Sequence, residues 1–230
     1  SKIMTRKAFE NAVIVASAIG GSSNCTTHLN AIAKHMGIKF DLSDWQKLGH
    51  NIPLLVNCQP AGEYLMESFH RAGAIPAVMK ELIKNKKIHT NIKTVTGKTV
   101  GQNLRKKVDV DPKVIKSFKT SLAEKAGFLV MKSNFFSSAI MKTSVISKEF
   151  RSTYLSNPKH PNVFNCKAVV FEGPEDYHKR LNSKKLKIDE KSILIIRGCG
   201  PVGYPGSAEV VNMQPPDRLL KKGIKHLPTL

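Results

Sequence analysis

The apolar positions of this chain change their period along its length. From Thr5 to Ile19 they recur at helical spacing, with Thr5 placed to cap the first turn and Gly20-Gly21 to stop the last. Ser22-Ser23-Asn24 then opens a second helix, whose apolar face is Leu29, Ile32, Ala33 and Met36 and whose end is Gly37. Asp41 or Ser43 caps a short helix carrying Trp45 and Leu48. The run Ile52–Val56 predicts a short strand, Glu63–Ala72 a helix ended by Gly73, and Pro76 the first position of a helix to Ile83. Thr94–Thr96 predicts a further strand, with Gly97-Lys98 turning into a helix over Thr99–Leu104.

The stretch Arg105–Lys119 is polar, rich in lysine and weakly periodic, and predicts a domain boundary. Beyond it, Gly127–Met131, Ala139–Ser144, Ala168–Phe171 and Ile193–Arg197 read as strands, with helices at Pro174–Leu181 and Pro215–Lys222. The pattern predicts an α/β first part over residues 1–112 and a β-rich second part over 113–230. No internal repeat is visible.

Composition narrows the function classes. The 230 residues include 41% hydrophobic positions, enough for real cores. No apolar run approaches the ~20 residues of a membrane-spanning helix. The start has a basic beginning and an apolar centre, but Glu10 and Asn11 sit against that centre and a folded pattern continues after it. This argues against a secretory signal and for no membrane partner. Thirty-seven basic and 17 acidic residues give a net charge of +20, which would draw anionic partners. The bases are mostly dispersed lysines and aromatics make up only 7%, so a solvated surface is favoured over nucleic-acid reading. Cys25, Cys58, Cys166 and Cys199 form no paired spacing, and suit a reducing cytoplasm better than a disulfide framework.

The sharpest chemical feature follows the last strand. Gly198-Cys199-Gly200-Pro201-Val202-Gly203 reads as G-x-G-x-x-G. A dinucleotide loop needs its third glycine in a helix that starts at the loop, and a surrounding strand–helix–strand unit. Pro201 and Pro205-Gly206 exclude such a helix, and the pattern predicts no such unit here. What remains is a stiff glycine–proline turn delivering Glu209, a carboxylate on constrained backbone and hence a candidate metal ligand. Weaker candidates have plainer readings. Cys25 and His28 share a helical turn without a second pair of ligands nearby. Glu63, Glu67 and His70 fall at helical spacing but equally serve ion pairs with Arg71 or Lys80. The Gly97-Lys98-Thr99 triplet lacks the first glycine of a phosphate loop, since that position is Ile92.

Several stretches together resemble one family: GGSSNCTTHLNAIAKHMGI (20–38), VNCQPAGEYLMESFHRAGAIPAVMKEL (56–82), TVTGKTVGQNL (94–104), SAIMKTSVIS (138–147), AVVFEGPEDYHKRLN (168–182) and the whole of 193–230. They are similar to the dihydroxy-acid and 6-phosphogluconate dehydratases, and most to the arabinonate and xylonate branch. The resemblance implies an α/β/α N-terminal domain followed by a β-barrel-like C-terminal domain. It implies a hydro-lyase that removes water from a 2,3-dihydroxy acid or sugar acid to give a 2-keto acid. It further implies an iron–sulfur cluster (2Fe-2S or 4Fe-4S), Mg2+ and a homodimer or homotetramer.

Carried over by position, the family's P-G-x-x-E motif makes Glu209 a Mg2+ ligand. The three cluster cysteines are expected before Ser1 and the base serine, in a D-G-R-x-S type motif, beyond Leu230. The four cysteines present match none of the cluster positions. His89-Thr90-Asn91 and Ser133-Asn134-Phe135-Phe136 depart from the family's usual wording. The segment is therefore expected to be the middle of a dehydratase. The alternatives are an inactive remnant or partner-dependent subunit, and a basic nucleic-acid-binding protein. An isolated middle piece is expected to expose strand edges and apolar faces and to aggregate.

Overall fold

A computed structural model describes residues 2–132, 134, 138–160, 163–199 and 213–230. The described chain divides into two compact units, Ser1–Ser147 and Lys148–Leu230.

In the first unit, α1 (Arg6–Ala18) starts at Thr5, whose hydroxyl accepts from the Ala8 N–H. It ends at Gly20, which takes the left-handed conformation that glycine permits. α2 (Asn24–His35) follows, with Gly37 in the same conformation just past its end. α3 (Leu42–Gly49) is held by a capping box: Asp41 accepts from the Ser43 N–H, and Asp44 from the Asp41 N–H. α4 (Met66–Arg71), α5 (Ala74–Lys84) and α6 (Val100–Asn103) complete the helical part. β1 (Phe128–Met131) pairs antiparallel with β2 (Ala139–Lys142).

Two cores hold this unit. One gathers Ile14 and Ala18 of α1 with Leu55, Val56, Phe69, Val78, Leu82, Val114 and Ile115. The other gathers Phe9, Val13, Phe40, Trp45 and Phe128. Trp45 is fully buried; its indole N–H donates to Asn30 Oδ1 at 2.9 Å and its ring meets Phe128 edge-on at 5.0 Å. Close approach matters at Gly127, where an added Cβ would lie 2.0 Å from the Gly49 carbonyl oxygen.

Three local expectations change. Ile52–Val56 forms no ladder; Leu54 and Val56 each make one isolated bridge, to Ala123 and Ile115, because their partners lie on different short segments. The helix expected from Glu63 begins only at Met66, since Tyr64 pairs back onto Cys58 and Asn57. Thr94–Thr96 is a tight turn rather than a strand, with the Thr94 N–H bonded to the Lys98 carbonyl and Gly97 at positive φ. Compactness also groups residues 113–147 with the first unit, because Val114, Ile115 and Phe128 are buried in its cores.

The second unit begins with α7 (Lys148–Tyr154). β3 (Lys167–Phe171) runs into α8 (Pro174–Arg180) and then β4 (Ser192–Ile196), which lies parallel to β3 in the register Lys167↔Ser192 to Phe171↔Ile196. After α9 (Asp217–Leu220) the chain returns along the other edge of β4. There the Leu194 N–H bonds the Pro228 carbonyl, the Leu230 N–H the Leu194 carbonyl, and the Ile196 N–H the Leu230 carbonyl. The sheet thus reads β3, β4, residues 228–230, all parallel. Alternate residues Val169 and Phe171, and Leu194 and Ile196, face a core with Tyr177, Ile188, Leu219 and Leu227. Full burial of a side chain such as Phe171 contributes roughly 1.5–3 kcal/mol.

Candidate functional site

In parallel sheets ligands collect beyond the carboxyl ends of the strands, where the connecting loops begin. Here that end is formed by three neighbours: Glu172-Gly173 leaving β3, Arg197-Gly198-Cys199 leaving β4, and Leu230. The last ladder bonds lie at this end. The Arg197 N–H donates to the Phe171 carbonyl at 2.9 Å, and the Ile196 N–H to the Leu230 carbonyl at 3.0 Å.

Charges line the same end. Arg197 Nη1 meets Glu172 Oε1 at 2.8 Å, both side chains largely exposed. The Glu172 N–H donates to Asp176 Oδ2 at 2.9 Å, and Asp176 is gripped by Arg180, one turn on. The Arg180 hydrogen bonds, helped by that backbone N–H, hold the Asp176 carboxyl down to about 2. Arg180 also donates to the Val170 carbonyl at 3.0 Å and lies over the Phe171 ring. The start of α8 is thus tied to the end of β3 by Asp176 in its first turn, the favourable end for negative charge.

The chain re-emerges at Met213 on the far side of the glycine–proline segment. Tyr177 of α8, 3% exposed, meets it there: its hydroxyl accepts from the Gln214 N–H at 2.7 Å and donates to the Gln214 carbonyl at 3.1 Å. Asn182 and Asp217 bond each other reciprocally, and Arg218 reaches the carbonyls of Leu186 and Ile188. Nothing in the sequence marks Tyr177 for this role; an aromatic on a short amphipathic helix reads simply as core.

Glu209, the carboxylate singled out from the sequence, lies outside the described residues, as do Gly200 to Asn212. The strand–helix–strand unit judged missing from the sequence is present as β3–α8–β4. What speaks against a nucleotide loop is therefore its prolines. Pro201 and Pro205 interrupt the stretch from which such a helix would have to start, and residues 200–212 lie outside the described residues.

The other candidates remain apart. Among the described residues no group of three or more His, Cys, Asp or Glu side chains could hold a metal ion. Cys25 is half-buried and Cys58 buried, Cys166 is exposed, and Cys199 lies between. Burial, with the Glu175 charge behind it, pushes the Cys199 thiol up, and burial raises the other three as well. Separated neutral thiols do not make an iron–sulfur ligand set, so these residues do not fit that cofactor. His28 is exposed on α2. Glu63 precedes α4, so it shares no helical face with Glu67 and His70, and Glu67 pairs with Arg71 at 2.5 Å. Thr99 caps α6 in a capping box with Gln102, which accounts for the Gly-Lys-Thr triplet. Among the described residues no helix is long and apolar enough to cross a membrane.

The model for the dihydroxy-acid/6-phosphogluconate dehydratase N-terminal domain matches residues 1–103, and that for the C-terminal domain residues 113–230. A D-xylonate dehydratase of Caulobacter vibrioides is 55% identical over 228 residues, covering 99% of this chain and 38% of the relative. An L-arabinonate dehydratase of Rhizobium leguminosarum bv. trifolii is 41% identical over 225 residues, 97% of this chain and 37% of the relative. A mitochondrial dihydroxy-acid dehydratase of Aspergillus fumigatus is 33% identical over 226 residues, 97% and 35% respectively. The two domain models lie in family order and cover nearly every residue. The chain belongs to the dihydroxy-acid/6-phosphogluconate dehydratase family. It spans a little over a third of the length of these relatives.

Proposed function

We propose that this chain is part of a sugar-acid dehydratase, removing water from a 2,3-dihydroxy acid such as D-xylonate to leave a 2-keto acid. The carrying observation is the ladder bond between Ile196 and Leu230. It puts the start of the segment bearing Glu209 beside the point from which the family's serine motif would follow. The segments that would carry a Mg2+ ligand and a proton-abstracting serine would then both leave the same sheet end, where one substrate could meet them.

In this reading Glu209 is the one Mg2+ ligand this chain contributes. Mg2+, when bound, supplies positive charge for the substrate carboxylate and the enolate-like state that follows proton loss. The iron–sulfur cluster belongs to parts of the intact enzyme outside these residues. The chain's own contribution is mechanical: β3, β4 and α8 hold both ends of the segment carrying Glu209. The active form is a homodimer or homotetramer in the cytoplasm.

The test compares full-length protein with its Glu209→Gln variant, which keeps side-chain size and removes the charge. The expected result is loss of tight Mg2+ binding and a fall of at least a hundredfold in 2-keto acid formation, with the fold intact by circular dichroism. Wild-type Mg2+ binding in the variant would overturn the assignment.

A further inference from the structure

We propose that the end of α5 and the chain segment beside it form a docking surface for the phosphate backbone of single-stranded nucleic acid.

Along the sequence the lysines look dispersed, but the fold gathers them. Between Lys80 and Lys107 nine residues are Lys or Arg and one, Glu81, is acidic. Lys84, Lys86 and Lys87 stand at the end of α5, all three exposed. Arg105, Lys106 and Lys107 are exposed as well, and the Lys80 ammonium donates to the Lys106 carbonyl. Lys80 and Lys84 lie four residues apart on one face of the helix, so both clusters border the last turns of α5.

Little neutralises these charges. Glu81 Oε1 is taken by the Phe118 N–H at 3.0 Å and by Asn85 Nδ2 at 3.1 Å. Among the described residues, the one carboxylate within 4.0 Å of any of the six cations is that of Asp109, at 4.0 Å from Lys107 Nζ, on two fully solvated side chains. Uncompensated cations on one face raise the local potential and draw anions.

Lys86 carries an independent sign. α5 closes with the Lys86 N–H on the Ile83 carbonyl and the Lys87 N–H on the Leu82 carbonyl, each at 2.9 Å. This closure needs a left-handed residue, and Lys86 has φ 56°. α1 and α2 place Gly20 and Gly37 at the same point, where glycine is unstrained. A lysine held there keeps a cation in the cluster against local strain.

The chemistry of the partner follows from the side chains. Five of the six cations are lysines, point charges that suit phosphate without the forked geometry that arginine offers a carboxylate. Neither cluster carries an exposed large apolar side chain to anchor a peptide. Residues 80–107 contain no Phe, Tyr or Trp on which a base could stack. The surface fits a flexible chain of phosphates held by charge alone.

The experiment uses the full-length protein and a fluorescent oligouridylate of about 20 nucleotides, with anisotropy read across about 20–200 mM salt. Six phosphate contacts on a single strand predict a log–log salt slope of about −4. Combining Lys84→Gln, Lys86→Gln and Lys87→Gln should flatten the slope by about 2 and weaken binding about tenfold or more at the lowest salt. Combining Lys184→Gln, Lys185→Gln and Lys187→Gln removes the same charge from exposed positions of the second unit and should leave the slope unchanged. Lys86→Gly should flatten the slope by about 0.7 while the thermal midpoint holds or rises, because glycine relieves the left-handed turn. No binding at the lowest salt, equal weakening by the two triple variants, or equally tight binding of a polyglutamate of matched charge would overturn the proposal.

Discussion

Replacing Phe128 by alanine tests how the first unit is built. Phe128 is 1% exposed and lies edge-on against Trp45, the chain's single tryptophan. Truncating a fully buried phenylalanine costs about 3–5 kcal/mol, including the aromatic pair and the cavity left behind. A unit of this size loses stability in urea at roughly 2 kcal/mol per molar, so the midpoint should fall by about 2 M. Trp45 emission reports the transition directly, since its ring forms one wall of the new cavity. Phe128→Leu, which keeps much of the volume, should cost less than about 1.5 kcal/mol and give a graded shift. Val95→Ala, at a position 87% exposed, should leave the midpoint unmoved. An unchanged Trp45 transition in Phe128→Ala would refute the packing of residues 113–147 into the first unit.

Two further outcomes follow from the charges and thiols. Burial works to raise the Glu10 carboxyl, but hydrogen bonds from Arg6 and His89 outweigh it and leave the group below its ordinary value. Its contribution is then complete above the unfolded value near pH ~4.3 and is lost as pH falls through the lower folded value. The stability gap between wild type and Glu10→Gln should accordingly shrink in urea titrations below about pH 4; a gap constant down to pH 2.5 would refute the network. Under native conditions a maleimide should label exposed Cys166 well before buried Cys58, and equal rates would contradict the burial of Cys58.

What was legible in the sequence was local. Thr5, Asp41 and Gly37 announced their helix ends because capping is chemistry between near neighbours. β3 and β4 showed as apolar runs because parallel strands are covered over much of their length. The parallel return of residues 228–230 along β4 was not legible, since His226-Leu227-Pro228-Thr229-Leu230 has no strand period and its partner lies more than thirty residues away. The packing of Val114 and Ile115 into the first unit was hidden by the lysines around them. The candidate site divided in the same way. The glycine–proline stretch and Glu209, singled out from the sequence, lie outside the described residues, whereas the bonds of Tyr177 became visible only once α8 and Gln214 were adjacent.

The most direct measurement is 2-keto acid formation from D-xylonate, L-arabinonate and a branched-chain dihydroxy acid by the purified natural protein, kept anaerobic and supplied with Mg2+. Turnover of a sugar acid, lost on Mg2+ chelation and restored by its return, is the predicted result. A folded, cluster-loaded protein that dehydrates none of the three would contradict it.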